Sequence, residues 1–212
     1  MAMASDLLDG RPNAKNLKDL PRLVTSCRAC PLWRNTTQGV AGEGPTGAQL
    51  ILVGEQPGDQ EDRAGKPFVG PAGAILDKAL RQAKLPREQT YVTNAVKHFK
   101  HELRGKRRLH KRPDPGEIEA CKWWLSEELR ILKPKVAVAL GATAARALIG
   151  RTVTISRVRG TSLAAGQIEV VVTAHPSFIL RVPDDISKQR EFDRLVADLK
   201  FAAGRLMALG NQ

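Results

Sequence analysis

Residues 49–59 read QLILVGEQPGD, a short apolar run that passes directly into a turn bounded by Gly54 and Gly58. An unbroken run of Leu, Ile and Val about five residues long is typical of a strand buried on both faces of a parallel sheet. Three more runs of the same kind lie at residues 90–96, 135–140 and 168–173. The sequence therefore predicts a mostly parallel sheet of four strands.

Helical patterns separate these runs. Apolar side chains recur every three or four positions over residues 71–84, 116–132 and 188–208, and a short helix is expected over residues 142–149. Strands that alternate with helices predict an α/β protein, built as a three-layer α/β/α sandwich around the sheet.

The composition is that of a basic globular chain of 212 residues, for which we predict one domain over residues 16–208 and a loose tail over residues 1–15. Lys and Arg number 34 against 22 Asp and Glu, and this net charge of +12 favours a polyanionic partner, most often nucleic acid. No apolar run approaches the roughly 18 to 20 residues of a membrane-spanning helix, and the N-terminus lacks a signal-peptide pattern. We therefore expect a soluble, cytoplasmic protein with no membrane partner.

The most basic segment is an insertion, predicted as a loop over residues 99–115, in which residues 100–112 carry seven Lys or Arg and one Glu. Such a run is most often a solvated loop that contacts phosphates. His110 lies within it, and flanking cations disfavour the charged imidazolium. The neutral imidazole is the form that acts as a nucleophile.

Glycines and polar residues follow the carboxyl end of every predicted strand, at residues 54–59, 94–98, 141–144 and 175–177. Ligands of open parallel sheets bind beyond the carboxyl ends of the strands, so these four ends predict a single site. Two simpler interpretations stay open. The glycine-bounded turn is a plain strand-to-helix connection, and His175 is a structural histidine at a strand end.

The three cysteines cannot all pair within the chain, which excludes a disulfide scaffold and indicates reduced thiols. Cys27 and Cys30 have the spacing of a chelating pair, Cys121 is the third thiol, and His98 or His101 is available as a fourth ligand. A zinc ion and an iron–sulfur centre both accept this donor set. Two buried thiols and an unrelated third are the alternative.

Five motifs occur in order along the chain: GEQPG at 54–58, GKPFVGPAG at 65–73, TNAVKHF at 93–99, KRRLH at 106–110 and HPS at 175–177. Over about residues 20–205 the chain resembles the uracil-DNA glycosylase superfamily. Within it, the resemblance is to the iron–sulfur branch and most closely to the group called uracil-DNA glycosylase X, or UdgX.

Three features point to the UdgX group: Gln56, His98 and the basic insertion that ends in His110. Thermostable iron–sulfur relatives usually have Gly-Glu-Gly-Pro-Gly in the first motif and a cysteine in place of His98. Leu109 differs conservatively from the isoleucine expected there.

The resemblance implies an enzyme that flips uracil out of single- or double-stranded DNA and excises it as free uracil. Single strands are favoured because no base pair must be broken. It also implies that the enzyme stays covalently linked through His110 to C1′ of the abasic sugar, and that it is a monomer. An ordinary turnover glycosylase that releases a free abasic site is one alternative, and a non-catalytic iron–sulfur nucleic-acid-binding module is the other.

The same resemblance assigns roles to residues. It implies a [4Fe–4S] cluster on Cys27, Cys30, His98 and Cys121. The expected catalytic and pocket-shaping residues are His110, His175, Glu55, Gln56 and Asp59. Phe68 is expected to stack on the uracil, Asn94 to read its edge, and Gly54 and Gly58 to let the backbone approach it. The expected DNA contacts are Lys106, Arg107, Arg108 and Ser177.

Overall fold

The computed structural model describes residues 12–210, and a five-stranded sheet lies at its centre. Its strands are β1 (Leu50–Gly54), β2 (Tyr91–Asn94), β5 (Val136–Leu140), β6 (Ser162–Ala165) and β7 (Ile168–Thr173), in the order β2-β1-β5-β7-β6. The first four in this order are parallel, and they are the four predicted strands. The prediction of four strands was one short, because β6 pairs antiparallel with β7 at the edge of the sheet. This partly exposed Ser-Leu-Ala-Ala segment lacks the branched apolar run by which the buried strands are recognised.

Helices cover both faces of the sheet, which confirms the predicted three-layer α/β/α sandwich. On one face lie α3 (Pro71–Gln82), α7 (Pro176–Arg181) and α8 (Asp185–Gly210). On the other lie α1 (Leu20–Ser26), α4 (Pro115–Leu132) and α5 (Ala142–Ile149). The remaining helical segments are α2 (Asp59–Ala64), α6 (Ile155–Val158) and three 3-10 turns, Leu17–Asp19, Pro31–Asn35 and Arg87–Gln89.

The central strands are apolar throughout because both of their faces are buried. In β1, Ile51 and Val53 belong to the core beneath α4 and α5, whereas Leu50 and Leu52 belong to the core beneath α3 and α8. Each such side chain contributes about 1.5–3 kcal/mol on burial.

The basic insertion is a β-hairpin, so its prediction as a loop was wrong. Strands β3 (His101–Arg104) and β4 (Arg107–His110) form a separate antiparallel sheet that pairs His101 with His110 and Arg104 with Arg107. Gly105 opens the two-residue turn with φ +60°, the conformation that a tight hairpin requires at this position and that glycine adopts without strain. The strands escaped prediction because they are largely exposed and carry no alternating apolar pattern.

At the N-terminus, the predicted tail falls mostly on residues 1–11, which lie outside the described residues. Ala14 is buried, donates its N–H to Glu127 at 2.8 Å and accepts a hydrogen bond from Arg130 at 2.6 Å. The chain is therefore attached to α4 from residue 14 onward.

Between residues 12 and 210, none of the helices combines the length and the apolar character needed to cross a bilayer.

Candidate active site

A pocket of about 1420 Å³ opens at the carboxyl edge of the sheet. Residues that follow four parallel strands line it, as the sequence predicts: Glu55 and Gln56 after β1, Asn94 at the end of β2, Gly141 after β5 and His175 after β7. Phe68 and His110 enter the same pocket from the loop before α3 and from the hairpin. The structure thus brings the two histidines, the carboxylate and the amide of the predicted site into one cavity.

Gly54 lets the side chains of Asn94 and Phe68 pack directly against the end of β1. A Cβ at this position would lie 2.3 Å from Asn94 Oδ1 and 2.6 Å from Phe68 Cζ. Both distances are far inside van der Waals contact, so any larger residue would displace the amide or the aromatic ring, both of which line the pocket.

Asn94 Oδ1 is buried and has no hydrogen-bond partner in the described part of the chain. Leaving a buried acceptor unpaired costs about 1–3 kcal/mol. The backbone carbonyl of the same residue is satisfied, because Lys97 Nζ donates to it at 2.8 Å. The side-chain carbonyl is therefore prepared for a donor that a ligand supplies.

Phe68 adopts a left-handed backbone conformation, φ +55°, which is rare for an aromatic residue and costs about 1–3 kcal/mol. Arg87 holds this turn: its Nη2 donates to the Pro67 carbonyl at 2.9 Å and its Nη1 to the Phe68 carbonyl at 3.4 Å. Asp77 pairs with the same guanidinium at 2.7 Å. Gly73 permits the close approach of α3, since a Cβ there would lie 1.9 Å from the Phe68 carbonyl oxygen.

His175 presents a neutral imidazole whose proton lies on Nε2. Its Nδ1 accepts the Ser177 N–H at 3.1 Å, which leaves Nε2 as the protonated nitrogen of the neutral ring. Burial, together with the nearby charges of His110 and Arg181, lowers the pKa of His175 to about 4. Ser177, expected to contact DNA, places its hydroxyl 2.8 Å from the same Nδ1 and 3.2 Å from Arg181 Nη1.

His110 ends β4, and its Nε2 lies 3.5 Å from Glu55 Oε1 with half of the side chain exposed. Partial burial lowers the pKa of His110, Glu55 opposes this effect and Arg181 adds to it. The imidazole is therefore neutral near pH 7, as predicted. The main cause is desolvation, and the cation that contributes comes from α7 rather than from the flanking basic run.

Glu55 is held from the side opposite His110. Thr143 Oγ1 donates to Glu55 Oε2 at 2.6 Å, and Arg112 Nε lies 3.7 Å from the same oxygen. Residue 143 falls in the stretch 141–144 that follows β5, where the sequence indicated a strand end of the site but assigned no residue a role.

Gln56 joins the pocket to the base of the hairpin. Its Nε2 donates to the carbonyls of Lys100 at 3.1 Å and Lys111 at 3.0 Å, and its Oε1 accepts the Lys100 N–H at 3.0 Å. These two lysines flank the hairpin and pair with each other through their backbones. The buried side chain of Gln56, in the turn after β1, thus fixes the position of the hairpin that carries His110.

Arg108 forms a second attachment of the hairpin, which we call the Arg108 cluster: Arg108, Asp59 and Asp62. Its guanidinium pairs with Asp59 and, at 2.6 Å, with the fully buried Asp62, and only 13% of its side chain is exposed. Burial raises the pKa of Asp59, but the hydrogen bonds that Arg63 and Arg108 donate to it outweigh this effect. The pKa of Asp59 therefore lies below its ordinary value. The side chain predicted to bind phosphate is engaged with these carboxylates, whereas Lys106 and Arg107 are exposed.

Glu61 connects the two glycine loops of the site, a role that the motifs did not indicate. Its carboxylate accepts the Gly58 N–H at 3.0 Å and the Gly70 N–H at 2.8 Å. The spacing of Gly58 and Glu61 is that of a capping box, which is the local signal for the first of these contacts.

The three cysteines lie on the side of the sheet that carries α4. Cys121 is buried, whereas Cys27 and Cys30 are half-buried. His98 is 3% exposed in the turn after β2, and His101 instead begins β3 with Nδ1 3.2 Å from the Phe99 carbonyl. Within residues 12–210 no three His, Cys, Asp or Glu side chains stand close enough to hold a single metal ion.

A buried ion pair supports the strand that carries Asn94. Lys97 Nζ lies 2.6 Å from Glu128 Oε2, both side chains are fully buried, and Thr93 Oγ1 contacts both. Gly42 donates its N–H to the other Glu128 oxygen at 2.9 Å. Every charged atom of the pair therefore has hydrogen-bond partners, which is the condition for such a pair to be tolerated.

The family model described as the uracil DNA glycosylase superfamily matches residues 41–200. The chain belongs to this superfamily. Among its relatives, the type-4 uracil-DNA glycosylase of Thermotoga maritima is 39% identical over 180 residues, which is 80% of this chain and 90% of the relative. The type-4 uracil-DNA glycosylase of Pyrobaculum aerophilum is 35% identical over 79% of this chain and 86% of its own length.

A type-5 uracil-DNA glycosylase of Thermus thermophilus is 32% identical over 59% of this chain and 68% of the relative. These relatives are described as type 4 and type 5. The narrower resemblance to the UdgX group stays a prediction, which rests on Gln56, His98 and the basic insertion that ends in His110.

Proposed function

We propose that this member of the superfamily excises uracil from DNA and then remains covalently attached to the abasic sugar through His110. The observation that carries the first half is the unpaired side-chain carbonyl of Asn94, which lines the same pocket as Phe68. The observation that supports the second half is the placement of His110 against Glu55 at the mouth of the same pocket.

The base is recognised by its edge and by its face. Uracil offers N3–H to Asn94 Oδ1 and accepts at O4 from the amide nitrogen, whereas cytosine carries an acceptor and a donor in the opposite places. Buried polar groups left unpaired by a wrong substrate give strong discrimination. The ring of Phe68 stacks on the flipped base, a contact worth about 1–3 kcal/mol.

Cleavage of the bond between C1′ and N1 leaves its electron pair on uracil. His175 donates Nε2–H toward uracil O2, where the negative charge develops, and stays neutral because its pKa is about 4. A neutral donor fixed by Ser177 needs no reorganisation as the charge forms. Uracil leaves the pocket as the free base.

Capture of the sugar follows at C1′. One ring nitrogen of His110 supplies its electron pair to C1′, a C–N bond forms, and the proton on the other nitrogen passes to Glu55. This is the general arrangement of a nucleophile beside an orienting base. Glu55 then releases this proton to solvent and the departing uracil anion takes one up to become the free base, so electron pairs and protons balance and no electron transfer is needed.

The tip of the hairpin supplies the DNA contact. Arg104 and Arg107 lie directly opposite each other across the two strands, and both are exposed beside Lys106. Like charges in this position repel each other, so a phosphate between them relieves the repulsion. Single-stranded DNA is favoured or accepted, because its bases need no unpairing before they are flipped.

The chemistry of Cys27, Cys30, His98 and Cys121 fits a [4Fe–4S] cluster. Burial lowers the pKa of His98 to about 4, so its imidazole is neutral and has a free electron pair. Cys121 Sγ accepts the Lys97 N–H at 3.1 Å, and hydrogen bonds to ligand sulfurs are a means by which proteins tune such clusters. When bound, the cluster would cross-link the N-terminal segment, the turn after β2 and α4.

The colour of the purified protein tests the cluster. The protein is expected to be brown with broad absorption at about 400 nm, and a colourless protein that contains zinc would refute this assignment.

Two alternatives make different use of the same residues. In a turnover glycosylase, Glu55 activates water and His110 contacts DNA without reacting. In a non-catalytic binding module, the unpaired Asn94 acceptor and the neutral His175 donor have no task, and for this reason we do not favour it.

The test is a denaturing gel of purified protein with a labelled single-stranded oligonucleotide that contains one uracil. A thymine oligonucleotide and the His110→Ala variant serve as controls. A band that resists heat and detergent, formed only by wild type on uracil, is the expected result. No such band but strand cleavage after alkali would identify a turnover glycosylase. If neither the band nor the cleavage is seen, only the binding module remains.

A further inference from the structure

The start of α5 carries a side chain that the proposed chemistry has not used. Thr143 is 1% exposed, and its hydroxyl donates to Glu55 Oε2 at 2.6 Å. This bond joins the segment after β5 to the segment after β1, 88 positions apart in sequence. Gly141 makes the approach possible, because it caps α5 with φ +97°, a conformation that L side chains rarely adopt.

The contact fixes one carboxylate oxygen and thereby aims the other. Glu55 Oε1 faces His110 Nε2 at 3.5 Å, and Oε2 faces Thr143 on the opposite side. A glutamate has several rotatable bonds, whereas a threonine in a helix has a restricted χ1. The stiffer, buried residue therefore determines where the flexible one points.

Arg112, the other group near Glu55 Oε2, restrains the carboxylate less than Thr143 does. Arg112 Nε stands 3.7 Å away on a side chain that is 68% exposed. An exposed pair at this distance contributes little, whereas a short hydrogen bond to a charged group is among the stronger ones. Thr143 also lies in the first turn of α5, whose positive end favours a carboxylate.

We propose that Thr143 is a positioning residue that holds Glu55 in the orientation required for His110 to capture the sugar. The inference rests on the proposed function, since it assigns Thr143 to the capture step. Thr143 touches neither the base nor C1′ and acts through Glu55.

The test compares Thr143→Val, which keeps the shape and removes the hydroxyl, with Thr143→Ser, which keeps the hydroxyl. Uracil release and covalent complex are measured in the same single-turnover reaction, and their ratio is the readout. We expect Thr143→Val to lower the ratio of complex to released uracil by about tenfold to hundredfold, the range for a lost hydrogen bond to a charged group. We expect Thr143→Ser to restore most of it.

A matched control is Thr161→Val, whose hydroxyl donates to the Val158 carbonyl away from Glu55. This control is expected to have the wild-type ratio of complex to released uracil.

The outcomes separate the two proposals. If wild type forms no denaturation-resistant complex, the proposed capture and the role of Thr143 both fail. If wild type forms the complex but Thr143→Val has an unchanged ratio of complex to released uracil, the role of Thr143 alone fails. An equal loss of release and capture in Thr143→Val, with no rescue by serine, would also overturn its role, because it would show a structural defect.

Discussion

Replacing each of two neighbouring arginines of β4 by glutamine separates two roles that the basic run of the hairpin combines. Arg107 is exposed opposite Arg104, whereas Arg108 is paired with Asp59 and Asp62. If the structure assigns these roles correctly, Arg107→Gln removes a phosphate contact, and Arg108→Gln releases the hairpin from α2.

The two substitutions are expected to change different quantities: the salt dependence of DNA affinity in one case and the capture by His110 in the other. One phosphate contact on single-stranded DNA adds about 0.7 to the slope of log affinity against log salt. The affinity defect of Arg107→Gln should therefore shrink about 2.6-fold between about 50 and about 200 mM salt. Arg108→Gln should leave this slope unchanged. It loses hydrogen bonds to two carboxylates, each worth about 1.5–3 kcal/mol, so capture by His110 should fall at least about tenfold.

The assay is fluorescence anisotropy with a thymine oligonucleotide at several salt concentrations, followed by gel measurement of complex formation with the uracil oligonucleotide. Asp62 still accepts the Thr37 N–H, which both of its oxygens share, in the Arg108→Gln variant, so the fold is expected to persist. Equal changes of the salt slope in both variants would contradict these separate roles, because they would show that Arg108 leaves its carboxylates and binds phosphate.

Three further predictions concern the pocket, the core and pH. Gly54→Ala is expected to slow uracil release at least about a hundredfold, because its Cβ clashes with Asn94 Oδ1 and the Phe68 ring and displaces these base-binding groups by about 1 Å. Glu128→Gln leaves the buried Lys97 without a counter-charge and should lower the free energy of unfolding, measured with urea, by about 3–5 kcal/mol. The pKa of His175 is about 4 in the folded chain against 6.5 ordinarily, so between these values only the unfolded chain takes up the proton. The free energy of unfolding should therefore be highest above pH 6.5 and fall by up to about 3 kcal/mol for this group as the pH drops toward 4.

Each of these predictions has its own control. Gly204→Ala adds a Cβ to open space in α8 and should keep full activity. If Gly54→Ala were as active as Gly204→Ala, the base would lie elsewhere. Glu119→Gln removes an exposed partner of Lys122 on the same helix as Glu128 and should cost under about 1 kcal/mol. A similar small loss in Glu128→Gln would contradict the burial argument. In His175→Asn the pH dependence of unfolding should be shallower than in wild type, and an unchanged slope would rule out the depressed pKa.

The parallel core could be predicted because its signal is local. Residues 50–53 are all apolar in sequence because both faces of β1 are covered, and the turn that follows carries the polar residues of the site. Such runs need no knowledge of distant partners. The convergence of the strand ends then followed from the rule for parallel sheets.

The hairpin and its attachments could not be predicted, because what holds them is distant in sequence. Arg108 is one of seven basic residues in its run, and nothing near it in sequence distinguishes it from Arg107. The difference lies in Asp59 and Asp62, 49 and 46 positions away. Thr143 was missed for the same reason, since its partner Glu55 is 88 positions away.

The β3–β4 hairpin forms a sheet of its own, and its flanking residues Lys100 and Lys111 are hydrogen-bonded to each other. A segment whose two ends meet can be gained or lost in evolution while the domain that carries it keeps its chain path. Asn94 and His175, to which we assign recognition and release of the base, belong to that domain, whereas His110 belongs to the segment. Under the proposed function, removal of the base and retention of the DNA are thus separately inheritable traits. A relative that lacks the insertion keeps the means to remove the base and lacks the residue that makes the act irreversible.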